Sequence, residues 1–323
     1  MTQRLLVTGG QGFVGKALAV SALGAGFSVR VTSRQKLTLS SKHFEFAQVG
    51  DLGAMTDWFA ALQGVDAVVH CAGRAHMLTD LAADPLAAFR TVNVEGALNL
   101  ARQVVKAGVK RFVLISSIGV NGMQTLLGKA FSEVDQPNPH NAYALSKWEA
   151  ELGLMRIANE TGLEVVIIRP PLVYGFGAPG NFGSLMRAVQ RGWPLPLGAV
   201  HNLRSLVGLD NVVDFIVTCV SHPLAANQIF VISDGHDLST TDLVRGMARA
   251  AGVRAKLLPV PVCALQAGAF LLGKGNAAQH LCGNLQVDIS KARTLLRWAP
   301  PLTVDEGLSR AMGAGIQRVA PSI

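Results

Sequence analysis

Residues 4–15 read Arg-Leu-Leu-Val-Thr-Gly-Gly-Gln-Gly-Phe-Val-Gly. A short apolar run leads straight into glycines at 9, 12 and 15, and a helical pattern follows over 13–25. Each glycine has a separate use: Gly9 for a tight turn, Gly12 for close backbone approach to an anion, Gly15 for close packing of helix on strand. The helix start offers unpaired N–H groups and the positive end of its dipole. Three glycines alone are ordinary turn chemistry. Placed between a first strand and a helix, they point to a pyrophosphate, and so to a bound dinucleotide held by Gly9, Gly12, Phe13, Val14 and Gly15.

The same alternation continues outward. Apolar, β-branched runs predict strands at 4–8, 28–32, 44–49, 67–70, 111–116 and 164–169. Helical patterns fall near 13–25, 53–62, 84–107 and 142–161. Runs such as LLV, VLI and VVII are apolar on both faces, as parallel strands covered by helices on each side require. Strands alternating with helices predict an α/β, doubly wound parallel sheet. After Arg169 the rhythm breaks at Pro170, Pro171, Pro179, Pro194 and Pro196. The expected organisation is a dinucleotide-binding domain over 1–170 and a smaller substrate-binding lobe over 171–323, with some segment of 203–232 returning to the sheet.

Composition narrows the partners. The 323 residues are 50% hydrophobic and 15% charged, enough to bury a large core. The net charge of +8 suggests an anionic partner. Basic residues form no consecutive block and aromatics are 6%, which argues against a nucleic-acid groove. Residues 1–169 hold 16 Lys and Arg against 13 Asp and Glu, and residues 170–323 hold 13 against 8, so the second half carries the larger excess. The four cysteines are scattered without a CxxC pair, against zinc or a disulfide framework and in favour of a reducing compartment. The first residues carry no signal-peptide pattern, and the apolar stretch 257–272, interrupted by Pro259, Pro261 and Gln266, suits a buried helix better than a membrane span. A cytoplasmic protein without membrane insertion is expected.

The second strand runs into Val31-Thr32-Ser33-Arg34 with no acidic residue at its end. A carboxylate there would bond an adenosine ribose and repel a 2′-phosphate, whereas Ser33 and Arg34 could hold that phosphate. NADP(H) is therefore favoured, with NAD(H) open and Arg34 as solvated surface the plain alternative. Asp51 and Leu52, after the third strand, are expected beside the adenine.

Tyr143-Ala144-Leu145-Ser146-Lys147 sets a phenol and an ammonium four residues apart on one helix face. The neighbouring cation is expected to lower the phenol from its free value near 10, making it a usable acid or base. Ser117 ends the fifth strand at the carboxyl edge of the sheet, where ligands bind in such folds. The chain has two tyrosines, and one of them stands in this pattern.

These pieces resemble the extended short-chain dehydrogenase/reductases, in particular the NAD(P)-dependent nucleotide-sugar epimerase/dehydratase group. The matching stretches are TGGQGFVG, GDL, HCAGRAH, NVEGALNL, LISSIGVNG, YALSKWEAE, RPPLVYG and the late KARTLLRWAPP, nearly the whole chain. The resemblance implies a Rossmann-type sheet and a catalytic set of Ser117, Tyr143 and Lys147, with Lys147 also bonding the nicotinamide ribose. It implies that Ala72, Gly73, Asn93 and Pro170 line the dinucleotide, and that the C-terminal lobe holds a UDP-sugar. Asn181-Phe182 matches a pair near the diphosphate, and Arg204 an arginine that clamps it; the bland alternative for Arg204 is a strand residue paired with Asp210. Arg74 and His76 face the same cleft in relatives, which commonly dimerise through the helices near 84–107 and 142–161, so a homodimer is also implied.

One departure bears on the reaction. Dehydratases of the group carry an Asp-Glu pair just after the strand-five hydroxyl, where this chain has Ile118 and Gly119. Neither moves a proton, so loss of water is not expected. Redox chemistry at a carbinol remains. Reduction of a 4-keto sugar nucleotide, as in ketoreductases of O-antigen pathways, is the favoured expectation and 4-epimerisation the runner-up. A non-catalytic dinucleotide-binding protein would be expected to have lost the Tyr or the Lys.

Overall fold

The computed structural model describes residues 2–34, 43–75, 84–271, 273 and 275–313. The first half follows the alternation: β1 (Arg4–Thr8), α1 (Phe13–Gly24), β2 (Ser28–Ser33), β3 (Phe44–Gln48), α2 (Phe59–Leu62), β4 (Ala67–His70), α3 (Pro85–Phe89), α4 (Gly96–Lys106), β5 (Arg111–Ile115), α5 (Ala142–Thr161) and β6 (Glu164–Arg169). The second half adds β7 (Leu172–Tyr174), α6 (Gly180–Gln190), β8 (Leu206–Gly208), α7 (Leu209–Ser221), β9 (Gln228–Val231), α8 (Thr240–Ala250), α9 (Val262–Leu271), α10 (Gly275–Cys282), α11 (Ser290–Leu296) and α12 (Val304–Ala311).

Seven strands form one sheet in the order β3-β2-β1-β4-β5-β6-β9, and each neighbouring pair is parallel. The order reverses between β1 and β4, so the carboxyl ends of those strands open the crevice where ligands of such sheets bind. Both faces are covered, which explains the unbroken apolar strands. Leu5, Val7, Val69, Val113 and Val166 pack under α1 and α7, while Leu6, Val68, Phe112, Leu114 and Val165 pack under α4 and α5. A third cluster lies in the second half, where Tyr174, Phe182, Met186, Leu206, Val244, Met247 and Leu308 pack together beside the two-stranded β7-β8 sheet. The lobe after Arg169 is interleaved with the sheet, because β9 pairs with β6 and α7 covers the first face.

Two helical expectations change shape. The pattern over 53–62 gives a helix only over Phe59–Leu62; ahead of it the Thr56 hydroxyl donates to the Asp51 carbonyl at 2.6 Å and accepts from Gly53 N–H at 2.9 Å, holding a turn. The long pattern over 84–107 starts at an Asp84 cap, with Pro85 in the first turn, and is interrupted by a π-helical turn, Arg90–Glu95. Among the described residues no helix is long and apolar enough to cross a membrane.

Candidate active site

The glycine loop is built for close approach. Gly9 has φ +66°, and a Cβ there would lie 2.7 Å from Ala72 N. A Cβ on Gly15 would lie 2.3 Å from the Gly9 carbonyl, which itself accepts a 2.8 Å bond from Gly12 N–H. The first turn of α1 carries no acidic residue, and Gly12 at its start has no side chain to cap it. Among the described residues no side chain caps its first N–H groups, as a pyrophosphate cradle requires. Phe13 leans toward the second half, its ring against Gly175.

Further along the crevice, Ser33 is buried and accepts from Gln11 Nε2 at 3.3 Å. Arg34 reaches solvent, with its side chain 81% exposed and 3.5 Å from Asp51, itself 90% exposed. Leu52 packs against the second core cluster beside Gly96.

The Tyr-Lys helix brings its two groups to the end of β5. Asn141 caps α5 by accepting from Ala144 N–H at 2.8 Å. Lys147 is buried, and its Nζ donates to the Ile115 carbonyl at 2.8 Å. Gly73 borders the same ammonium: a Cβ there would sit 3.6 Å from Nζ. Burial pushes Lys147 down to about 8. Tyr143 packs edge-on against Phe89, whose ring also lies under the Arg74 guanidinium at 5.5 Å.

The expected lowering of the phenol by Lys147 is not what the structure gives. Burial pushes Tyr143 up to about 12, and the nearby Ser117 hydroxyl pulls the other way. Desolvation of the anionic form is the largest influence on the phenol and outweighs the Ser117 hydroxyl. Ser117 Oγ accepts from Gly119 N–H at 3.1 Å, which caps the short turn after β5.

The π turn serves the site. It buries Asn93, whose Oδ1 accepts from Arg74 N–H at 2.8 Å and whose Nδ2 donates to the Arg74 carbonyl and, at 3.0 Å, to Ser146 Oγ. Ser146 in turn donates to the Tyr143 carbonyl at 2.7 Å. Asn93 thus ties the loop after β4 to the helix bearing Tyr143. Pro170 is buried, and its carbonyl accepts from Ile118 N–H at 2.9 Å, fixing the loop after Ser117.

Substrate-side expectations separate. Arg204 is half-buried, and its Nη1 donates to the Gly283 carbonyl at 3.0 Å. Burial holds its pKa below the usual arginine value. Asp210 pairs with Arg310 at 2.9 Å, so the strand pairing once open to Arg204 does not form. Asn181 is exposed at the start of α6. Phe182, its neighbour, is 4% exposed, and its ring lies 5.5 Å from that of Tyr174 in the third core cluster. His76 lies outside the described residues.

Sequence reasoning missed a buried network below Lys147. Glu151, one turn further along α5, accepts from Arg169 Nη2 at 2.6 Å and from the Ser116 hydroxyl. Arg169 also donates to Asn121 Oδ1 at 3.0 Å, and Asn121 donates to the Ser132 carbonyl. An i, i+4, i+8 reading of Tyr143, Lys147 and Glu151 could have found it. His70 is another buried group, bonded through Nδ1 to Thr8 Oγ1 at 2.8 Å and pushed by burial down to about 3, so it stays neutral.

With this geometry in place, comparison with known proteins decides the family. Residues 5–233, well over half of the chain, match the model of the NAD dependent epimerase/dehydratase family. The chain belongs to that family. It is 45% identical over 318 residues to a UDP-glucose 4-epimerase of Vibrio cholerae, covering 98% of this chain and 97% of that one. It is 29% identical over 329 residues to an N-acetyl-alpha-D-glucosaminyl-diphospho-ditrans,octacis-undecaprenol 4-epimerase of Escherichia coli O157:H7, covering 97% and 95%. Its fold matches the UDP-glucuronic acid 4-epimerase of Bacillus cereus in complex with NAD, with TM-score 0.77, 20% identity, and 97% and 98% of the two chains covered. Family membership makes the protein an enzyme that uses a nicotinamide dinucleotide, and the glycine cradle fits that group.

Proposed function

We propose that the protein is a 4-epimerase of UDP-linked hexoses. The observation that carries this reading is the 45% identity to a UDP-glucose 4-epimerase across 98% of the chain. The second relative is again named as a 4-epimerase of a sugar diphosphate. Reduction of a 4-keto sugar, the first expectation from sequence, has no comparable support and becomes the second reading.

When bound in its oxidised form, the nicotinamide supplies a hydride-accepting carbon and a positive charge that favours the ionised phenol. In this reading Tyr143 takes the proton of the C4 hydroxyl and later returns one to the same oxygen. Ser117, near the phenol, orients that oxygen and stabilises charge developing on it. Lys147 is held at the crevice by the Ile115 carbonyl and keeps donors for the cofactor ribose. Arg204 keeps donors beyond its Gly283 contact and clamps the sugar's diphosphate, with exposed Asn181 beside it. Ile118 and Gly119, lying where proton-transfer groups would be needed for loss of water, fit this reaction class.

At the adenosine end, Arg34 and Asp51 form an exposed pair of little net strength, so a 2′-phosphate could draw Arg34 away. The absent acid at the end of β2 supports acceptance of NADP(H) beside NAD(H). Purified protein supplied with UDP-glucose or UDP-GlcNAc, without added NADPH, should form the 4-epimer. Stoichiometric NADPH loss with a UDP-4-keto-hexosamine, and no interconversion, would favour the reductase reading instead.

A further inference from the structure

Helix α9, Val262–Leu271, is apolar around its circumference, with Gln266 its one polar side chain. Such a helix is ordinarily buried. Here no residue of it is buried; Val262 and Leu265 lean on the third core cluster, while Phe270 is 79% and Leu271 84% exposed. An uncovered apolar element of this kind marks an interaction surface.

What surrounds it indicates the occupant. The segment leading into α9 pairs with the turn after α6: Leu195 N–H donates to the Lys256 carbonyl and Leu258 N–H to the Leu195 carbonyl, both at 2.8 Å. That junction exposes Leu258 and Trp193, with the Arg191 guanidinium 5.5 Å from the Trp193 ring. Arg191, Arg254 and Lys256 are exposed, and none enters an ion pair among the described residues. No acidic residue occurs over 165–209 or 243–287, stretches that hold four and five Lys and Arg. An apolar helix, an exposed Trp at the junction leading into it and exposed basic residues from stretches without acids are the parts of a surface that rests in the interface of an anionic bilayer. A second copy suits the patch less well, since a two-fold contact would set the basic rim against itself. At ten residues, about 15 Å, α9 lies on a bilayer rather than across it.

We infer that α9, with Trp193, Leu258 and the Arg191–Arg254–Lys256 rim, docks this enzyme on anionic phospholipid surfaces. The test is flotation of the full chain with vesicles of phosphatidylcholine alone or with roughly one-third phosphatidylglycerol. The protein should float with the anionic vesicles only and be released by about 0.5 M salt. The double variant Phe270→Ser, Leu271→Ser should weaken flotation at least about tenfold with its turnover unchanged, and Arg254→Gln, Lys256→Gln should remove the preference for anionic lipid. Failure to float with anionic vesicles, or flotation indifferent to both variants, overturns the inference. So does a dimer in sedimentation velocity that the Phe270→Ser, Leu271→Ser chain no longer forms, which would make a second copy the occupant.

Discussion

Lys147 Nζ donates to the Ile115 carbonyl at 2.8 Å, which fixes the ammonium of α5 at the carboxyl end of β5. Burial lowers Lys147 from 10.5 to about 8, so folding disfavours its charge. Between those values the unfolded chain binds the proton and the native chain does not, and this group's contribution to stability therefore rises with pH across the window. Its donors, meanwhile, need the charged form. Activity should fall as pH rises through about 8, while the stability of the native chain relative to Lys147→Met grows by on the order of 1–2 kcal/mol between pH 7.5 and 9.5. Denaturant unfolding of both proteins at the two pH values, beside a pH–rate profile, checks the opposed trends; parallel trends would refute the assignment.

The Glu151–Arg169 pair has both side chains 3% exposed and joins α5 to β6 and, through Asn121, to the loop after Ser117. Removing one partner leaves a buried charge alone. Glu151→Ala should cost roughly 3–5 kcal/mol, and Glu151→Leu combined with Arg169→Met should cost less than the sum of the single changes. Chemical denaturation of the set decides it, since additive losses would mean that the two side chains do not act as a pair.

Gly15→Ala places a methyl group where 2.3 Å separates it from the Gly9 carbonyl. The loop must open to admit it, and affinity for the dinucleotide should drop by a factor of about ten or more, since 1.4 kcal/mol already accounts for tenfold. Calorimetric titration would show this, and unchanged affinity would count against the loop as the pyrophosphate cradle.

Two arginines should separate by function. Arg34→Ala should weaken NADP(H) about tenfold against NAD(H), the loss of one charge-assisted contact. Arg204→Ala should raise KM for the nucleotide sugar with little effect on kcat, because its proposed partner is a diphosphate that does not react. Equal effects of Arg34→Ala on both cofactors, or a kcat effect at Arg204, would reassign them.

The sequence reading went furthest where local chemistry and topology agree. The six strands and the glycine loop were legible because runs like Val165–Ile168 are apolar on both faces and Gly9 is needed for its backbone angle. The proximity of Tyr143 and Lys147 to the end of β5 was legible because a helix face and a strand end set it. The π turn holding Asn93 was hidden, since one extra residue per turn leaves no mark on the hydrophobic pattern. The burial of the Phe182 side chain was likewise hidden, because an apolar residue beside a polar one reads the same whether it faces a cleft or a core. The rise in the Tyr143 pKa was equally out of reach: it depends on three-dimensional desolvation, and the four-residue spacing to Lys147 speaks only of a nearby charge.

In the proposed reaction Tyr143 exchanges the proton at C4. Tyr143→Phe removes one hydroxyl and keeps the ring against Phe89. Its turnover of UDP-glucose, measured at saturating substrate with dinucleotide binding verified on the same sample, tests the claim most directly. Loss of an acid–base group should lower kcat by about 10²–10⁴-fold while binding persists. A Tyr143→Phe enzyme with full turnover would contradict the account.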